Sequence, residues 1–225
     1  MNDAELTGRQ RTHIAEVADP QCLLHRQAVK PFLNLRRAAR VDGIDLLPLS
    51  TFRDFDRQLT IWNGKFSGAR PMYDAAGNRL DSAALAPRER IEAILLWSAL
   101  PGASRHHWGT ELDLIDGNAN AQGWPDKLSR AAFAPGGPFA HLERWLASHA
   151  ARFGFFRPFQ GVRSGVQPEP WHCSFAPIAE KARRTLSPKV LQAAIAAAPL
   201  LGKEHVLEHL DALHARYVAD RKSVV

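Results

Sequence analysis

The chain has 225 residues, of which 45% are hydrophobic and 23% charged, and its formal net charge is +6 at pH 7. This size and composition are typical of one globular domain, and they exclude a disordered chain, a fibrous protein and a small disulfide-stabilised scaffold. The basic residues are scattered along the chain, which is more typical of solvated helix faces than of a nucleic-acid site, so we expect no nucleic-acid partner.

Hydrophobic periodicity and turn residues predict the elements of the first half of the chain. In order, they are a helix over about 21–41, a buried strand over 44–52, a helix that Asp54 caps, a long loop over 64–86 and a helix over 87–100. Pro31 is expected to start a second helix within the first of these segments. A loop as long as 64–86 is more often functional than accidental in a compact domain.

The second half of the chain alternates short strands with helices. We expect a strand over 110–115, a loop over 117–137, a helix over 139–153, strands over 154–159 and 171–175, and helices after Pro177. Strands flanked by helices without regular alternation predict an α+β domain.

Nothing in the sequence predicts insertion into a membrane. The longest stretch of low charge, residues 190–201, is too short to span a bilayer. The first nineteen residues carry frequent charges and lack the apolar core of a Sec signal peptide, which predicts a cytoplasmic protein. The sequence leaves the oligomeric state open.

Histidines and carboxylates are concentrated in two short motifs, SRHHWGTELD at 104–113 and EPWH at 169–172. Two imidazoles and one carboxylate leave a fourth coordination position for water, which is the usual arrangement of a catalytic zinc site. A further carboxylate near the metal could deprotonate that water. A single histidine of this kind is more often a packed, hydrogen-bonded side chain, so the joint arrangement carries the hypothesis.

The two motifs together form the pattern Ser-x-His-x-x-Gly-x-x-x-Asp followed by Glu-x-x-His, with Trp before the second His. This pattern resembles the zinc D-alanyl-D-alanine carboxypeptidases, the family of the vancomycin-resistance carboxypeptidases within the wider lysostaphin and hedgehog-type fold. A third element, STFR at 50–53 with Gln58 five residues further on, is similar to the family's Ser-x-x-Arg strand end and following Gln. The resemblance covers about residues 20–180, with the motifs in the family's order.

The resemblance implies a zinc-dependent carboxypeptidase that removes the C-terminal D-alanine from murein peptides. By this resemblance, His106, Asp113 and His172 bind one zinc ion, and Glu169 is the general base. Arg53 faces the scissile carbonyl or the terminal carboxylate of the substrate, and Ser104 and Gln58 contact the peptide. It also implies that a small antiparallel sheet holds the zinc, surrounded by helices. We expect an N-terminal segment over 1–19, the peptidase domain over 20–180, and a C-terminal helical extension over 181–225 packed on the same domain.

Glu111 departs from the family pattern, which usually has a small residue at this position. On a strand, Glu111 shares a face with Asp113, so it could lie near the metal as a partner of a ligand or compete with Glu169 as base. A satisfied surface carboxylate, or a partner for an arginine, is the commoner role. His107 is expected to point away from the metal, and Cys173 to be a small buried hydrophobic residue on the opposite face from His172.

Two alternatives remain open for the activity. A murein endopeptidase of phage-lysin type would share the zinc site, and a non-catalytic binding module would be expected to have lost the base or a ligand. The motifs also do not separate D,D from L,D specificity. A cytoplasmic D,D enzyme would damage the precursors of cross-linking, which favours the L,D bond of tetrapeptides. We expect the discriminating pocket in the loops 64–86 and 117–137.

Overall fold

The computed structural model of the chain describes residues 1–119, 124, 126–161 and 165–219. The helices are α1 Asp3–Leu6, α2 Arg26–Val41, α3 Phe55–Phe66, α4 Pro87–Leu95, α5 Arg130–Phe133, α6 Ala140–His149, α7 Ala176–Thr185, α8 Pro188–Ala196, α9 Lys203–Glu208 and α10 Leu210–His214. The strands are β1 Ile14–Val17, β2 Cys22–His25, β3 Leu46–Ser50, β4 Met72–Tyr73, β5 Arg79–Leu80, β6 Glu111–Asp116, β7 Phe155–Phe156 and β8 His172–Phe175. Short 3-10 helices cover Ser82–Ala84, Arg105–Trp108 and Ala150–Phe153.

The central sheet is antiparallel and has the strand order β3-β6-β8-β7. Its register places Asp113 of β6 opposite His172 of β8 and also opposite Ser50 of β3. Two hairpins, β1-β2 and β4-β5, lie outside this sheet. The architecture confirms the predicted α+β fold with a small antiparallel sheet among helices.

The two faces of the central sheet have different neighbours. Leu112 and Leu114 of β6 and Cys173 of β8 belong to a hydrophobic core that includes the inner faces of α2 and α6. Because side chains alternate along a strand, Glu111 and Asp113 project from the opposite face. The sheet therefore separates a hydrophobic core from a polar site, and Cys173 is buried in the core as expected.

A second hydrophobic core joins the ends of the chain to its middle. Leu6 of α1, Phe55 and Trp62 of α3, and Leu191 and Ile195 of α8 pack together there. The helices after residue 180 thus bury apolar side chains against the central helices, while the domain boundaries at 19/20 and 180/181 stay predictions. None of the helices in the described part of the chain combines the length and the hydrophobicity that a bilayer crossing requires.

Several local predictions were wrong. Residues 22–25 form β2 rather than the start of a helix, because they pair in register with β1 and tertiary pairing overrides local periodicity. Helix α2 continues through Pro31 instead of restarting there. The predicted loops 64–86 and 117–137 are not wholly irregular, since the first contains the β4-β5 hairpin and a 3-10 helix and the second contains α5.

A local feature fixes the start of α3, whereas α4 ends earlier than predicted. Asp54 caps α3 as predicted, because its Oδ1 accepts a hydrogen bond from the Arg57 backbone N–H at 2.8 Å. Helix α4 begins at Pro87 as predicted but ends at Leu95, five residues before the expected stop. The residues that follow α4 form part of the wall of the cleft described below.

Candidate active site

Three candidate metal ligands meet above the polar face of the sheet. His106 lies in the 3-10 helix that precedes β6, Asp113 lies within β6, and His172 is the first residue of β8. His106 Nε2 is 3.5 Å from Asp113 Oδ2, and His172 Nδ1 is 3.0 Å from Asp113 Oδ1. The structure therefore brings together the three residues that the sequence motifs single out as a ligand set.

Hydrogen bonds on the far side of each imidazole fix which nitrogen faces the cluster. The His106 Nδ1–H donates to the Thr51 carbonyl oxygen at 2.7 Å, which leaves Nε2 as the lone-pair nitrogen. The His172 Nε2–H donates to Glu111 Oε2 at 2.6 Å, which directs Nδ1 toward the cluster. Partners of this kind orient histidine ligands and set their tautomers in metal sites.

The spacing of these atoms fits a tetrahedral zinc ion. Ligands about 2.0–2.1 Å from a tetrahedral metal lie roughly 3.3 Å from one another, and the separations of 3.5 and 3.0 Å between Asp113 and the two histidines are close to this value. Asp113 Oδ1 is buried and has no hydrogen-bond partner within the described ranges, although it faces a ring nitrogen. A metal cation bound between Asp113 and His172 would take the place of a proton at this nitrogen and satisfy both groups.

Burial and the surrounding carboxylates control the charges of this cluster. Burial lowers the pKa of His106 to about 4, so its ring is neutral and able to bind a metal. Burial also opposes protonation of His172, but its contacts with Asp113, Glu111 and Glu169 outweigh this effect and raise its pKa well above the usual value. This excess of negative charge around His172 is the electrostatic environment that a divalent cation would neutralise.

Glu111 is a buried residue of the site and not a surface carboxylate. It is 0% exposed, and besides His172 it accepts hydrogen bonds from Thr110 Oγ1 at 2.8 Å and Ser174 Oγ at 2.6 Å. Arg105 Nε lies 3.3 Å from its Oε2. Although burial favours the neutral acid, Arg105 and His172 hold the pKa of Glu111 well below its ordinary value. Glu111 therefore both contacts a candidate ligand, His172, and pairs with an arginine, Arg105. The sequence analysis treated these two roles as alternatives.

Glu169 lies beside the ligand set, three residues before the start of β8. Its Oε2 is 3.2 Å from His172 Nδ1, and its backbone carbonyl accepts a hydrogen bond from the His172 N–H at 3.1 Å. Burial raises the pKa of Glu169 above its usual value. A raised pKa suits a carboxyl group to take up and release a proton during a reaction.

Arg53 follows β3 and reaches the same cleft. Its Nη1 donates to Gln58 Oε1 at 2.7 Å and its Nη2 to Ser50 Oγ at 3.1 Å. Gln58 is 0% exposed, and its Nε2 donates to the Ala99 carbonyl at 2.7 Å. Gln58 thus orients the guanidinium from behind, and its direct contact with a peptide stays a prediction.

His107 points away from the metal cluster, as the sequence analysis expected. Its Nδ1–H donates to the Arg53 carbonyl at 2.6 Å, and its Nε2 accepts from the Gly102 N–H at 3.1 Å. It joins the loop that carries Arg53 to the turn that carries His106, so its role in this structure is to hold these two segments together.

A cleft of about 770 Å³ opens over the candidate ligands. Ser104, Arg53 and Glu169 line it, together with residues of both loops that the sequence analysis expected to form a discriminating pocket: Lys65, Tyr73, Ala76 and Gly77 from one, and Asp126, Leu128, Ser129, Arg130 and Ala131 from the other. Arg130 Nη2 contacts the carbonyl oxygens of Ala75 and Ala76 at 3.2 and 3.3 Å and so connects the two loops. Residues 120–123 and 125 of the second loop lie outside the described residues.

Several lining residues escaped the sequence analysis because they belong to segments with no motif. The largest of them are Trp97, Phe159 and Tyr217. Lys65, on the last turn of α3, was also missed as an individual residue. No local pattern marks these positions, since only the folded chain brings them to the cleft.

A comparison with known families agrees with this site. The model of a family described as VanY, D-alanyl-D-alanine carboxypeptidase, matches residues 21–178. The chain belongs to this family. The VanY match includes all the candidate ligands, Glu169 and Arg53, and it ends before α8.

Relatives of known sequence cover different parts of the chain. A D-alanyl-D-alanine carboxypeptidase of Enterococcus faecalis is 30% identical over 154 residues, which are 67% of this chain and 47% of that protein. An uncharacterized protein of Haemophilus influenzae is 36% identical over 121 residues, which are 53% of this chain and 92% of that protein. The chain thus spans about half the length of the Enterococcus relative.

Several solved structures share the fold. VanYB in complex with D-alanine-D-alanine has a TM-score of 0.51 at 23% identity, covering 86% of this chain and 87% of its own. A vancomycin-resistance D,D-pentapeptidase VanY variant in complex with Zn(II) has a TM-score of 0.51 at 23% identity, covering 86% and 88%. The LdcB LD-carboxypeptidase has a TM-score of 0.50 at 21% identity, covering 81% and 68%. At these identities the likeness establishes the fold.

Proposed function

We propose that this VanY-family chain is a zinc-dependent carboxypeptidase that releases the C-terminal D-alanine of murein peptides, with a preference for the L,D bond of tetrapeptides. The observation that carries the proposal is the convergence of His106, Asp113 and His172 with Glu169 in one cleft. The structure of VanYB holds D-alanine-D-alanine, and that of the VanY variant holds Zn(II). Both support the same classes of ligand for this chain.

Zinc bound by these three side chains would polarise the scissile carbonyl and acidify a water molecule. Glu169 accepts the proton of the attacking water and passes it to the leaving amine, so that the amide bond is exchanged for a carboxylate and an amine. Its position 3.2 Å from His172 Nδ1 supports this role, because a base must lie beside the metal ligands to reach that water.

Arg53 stabilises the negative charge that develops on the scissile carbonyl oxygen. Gln58 and Ser50 hold its two Nη atoms, so the guanidinium is oriented before the substrate arrives. Preorganised donors of this type need no rearrangement in the transition state, which is the source of their catalytic effect.

Metal content and the Glu169→Gln variant test the proposal directly. The purified protein, stripped of metal and reloaded, should bind close to one equivalent of zinc. Glu169→Gln should lower kcat by at least ~10², because it removes a positioned acid–base group, while the zinc content stays unchanged. Less than about half an equivalent of zinc in the wild-type protein would contradict the zinc site, and full activity of the variant would move the base to another residue.

The choice of substrate is tested with a tetrapeptide and a pentapeptide side by side. A larger kcat/KM for alanine release from the tetrapeptide supports the L,D preference, and an equal or larger value for the pentapeptide contradicts it without affecting the carboxypeptidase proposal. Solubilised fragments from intact sacculi, without free alanine, would instead indicate an endopeptidase.

A further inference from the structure

The cationic side chains of the cleft differ in whether the protein itself uses their hydrogen-bond donors. Arg53, Lys65, Arg105 and Arg130 line the cleft. Arg105 donates to Ser174 Oγ at 2.7 Å and lies against Glu111, as described above. Arg53 and Arg130 are likewise held by protein oxygens. Three of these four cations are therefore anchored by the fold.

Lys65 is the exception. It stands on the last turn of α3 with a half-buried side chain that lines the cleft. In the part of the chain that the structure describes, its ammonium has neither a hydrogen-bond acceptor nor a carboxylate within ion-pair distance. A partly desolvated charge without a partner is unfavourable, so an anionic ligand in the cleft would gain from contacting it.

The electrostatic surroundings of Lys65 connect it to the catalytic end of the cleft. Burial lowers the pKa of Lys65 to about 8; Glu169 opposes this fall, whereas Arg53 and Arg70 add to it. Lys65 thus interacts with both the proposed base and the proposed carbonyl-stabilising residue. In the proposed reaction, the free carboxylate of the residue being released lies one residue beyond the scissile bond, close to the groups that act on that bond.

We propose that Lys65 binds the terminal α-carboxylate of the peptide and so makes this site select chain ends over internal bonds. The inference rests on the proposed function and divides the two cationic roles: Arg53 serves the scissile carbonyl and Lys65 the terminal carboxylate. A lysine is suited to this task, because its ammonium is a compact charge with three rotatable donors on a flexible stem.

Paired peptides that end in a free acid or a carboxamide test this assignment. Lys65→Met keeps most of the side-chain volume and removes the charge. It should raise KM for the free-acid peptide by about 10- to 100-fold, the effect of losing a hydrogen bond to a charged group, with a smaller change in kcat. The kinetic constants for the amide should stay the same, so the preference for the acid should collapse.

Two further variants provide the controls. Lys65→Arg retains a permanent charge and should preserve the preference for the acid. Arg70→Met removes an exposed cation near Lys65 that lies outside the cleft, and it should leave the preference intact. Equal loss in Lys65→Met and Arg70→Met would indicate a general field effect and overturn the assignment.

The pH dependence supplies a readout that a purely structural role would not change. Because only the ammonium form binds a carboxylate, KM of the wild-type enzyme for the acid should rise as the pH passes about 8. The charged groups that act on Lys65 are Glu169, Arg53 and Arg70. In Lys65→Arg the rise in KM should disappear, and its persistence would overturn the assignment.

Binding measured without turnover separates this inference from the proposed function. Calorimetry with zinc-loaded Glu169→Gln should show tighter binding of the acid than of the amide, and Lys65→Met in that background should abolish the difference. If wild-type protein releases no alanine but the difference depends on Lys65, the proposed reaction is wrong and the carboxylate site stands. An acid preference that survives Lys65→Met, or the absence of binding by either peptide, overturns the inference.

Discussion

Glu111 occupies the position directly behind His172, where the family pattern usually has a small residue. Its Oε2 accepts the Nε2–H of His172 at 2.6 Å, and Arg105 with two hydroxyl groups compensates its buried charge. A carboxylate behind a histidine ligand fixes the ring orientation and raises the basicity of the nitrogen that faces the metal. Glu111 is thus built into the candidate metal site rather than being an incidental ion pair.

This arrangement predicts that Glu111 contributes to zinc affinity. Glu111→Ala should weaken zinc binding by about 10- to 100-fold, the usual effect of losing a partner of a metal ligand. Glu111→Gln should have a smaller effect, since its amide oxygen can still accept the His172 N–H. Competition against a chelator of known affinity measures both.

Glu143→Ala is the matched control, because Glu143 also pairs with an arginine, Arg157 at 2.9 Å, but contacts no candidate ligand. It should leave zinc affinity unchanged. Unaltered affinity in Glu111→Ala as well would mean that Glu111 serves only to neutralise Arg105.

At the scale of elements, the turn before β6 is held by close packing against the β1-β2 hairpin. Gly109 has φ +66°, and a Cβ there would lie 2.3 Å from Ile14 Cδ1 and 2.7 Å from the His25 backbone nitrogen. The His25 N–H also donates to the Gly109 carbonyl at 2.7 Å. Only glycine permits both this left-handed conformation and this close approach, and His106 lies three residues away.

Gly109→Ala should therefore lower the free energy of unfolding more than an alanine substitution at a glycine that has a positive φ but no close neighbour. Gly43→Ala is the matched control, because Gly43 has φ +79° but open space around the position of a Cβ. We expect a loss of about 1–2 kcal/mol in the free energy of unfolding for Gly43→Ala, and about 1–3 kcal/mol more for Gly109→Ala because of overpacking.

Urea unfolding of the metal-free proteins measures these free energies, and zinc titration then reports whether the turn still presents His106. Equal losses in the free energy of unfolding for the two substitutions would show that the β1-β2 hairpin accommodates the added methyl group without further destabilisation.

For the whole molecule, the segment after the VanY match is part of the folded unit. Leu191, Ile195 and Val206 are 0% exposed within the second hydrophobic core, and Tyr217 and Val218 line the cleft over the candidate ligands. This segment therefore contributes both to burial of apolar surface and to the shape of the cleft.

Leu191→Ala should lower the free energy of unfolding by about 2–5 kcal/mol, because it removes a buried side chain and leaves a cavity. Leu201→Ala lies in the same segment at a position that is 41% exposed, and it should change the free energy of unfolding by less than about 0.5 kcal/mol. Denaturant unfolding of both variants measures these changes in the free energy of unfolding. A small effect of Leu191→Ala would indicate that the C-terminal helices dock only weakly on the rest of the chain.

Local signals in the sequence were sufficient for several elements. The Asp54 cap of α3 was predicted because capping depends on neighbours within three residues. The strand carrying Asp113 and the one that begins at His172 were predicted from short hydrophobic runs between turn residues. Residues 22–25 failed the same kind of reasoning, since their strand exists only through pairing with β1.

The sequence by itself determined the α+β class, the motif residues and, through their resemblance to a family, the candidate ligand set. The tertiary structure decided which groups meet those residues: Glu111 behind His172, Gln58 behind Arg53, and Lys65 in the cleft with no partner among the described residues. The reason is physical. Motif spacing and caps act within a few residues, whereas these contacts depend on strand register and helix packing between segments far apart in the chain.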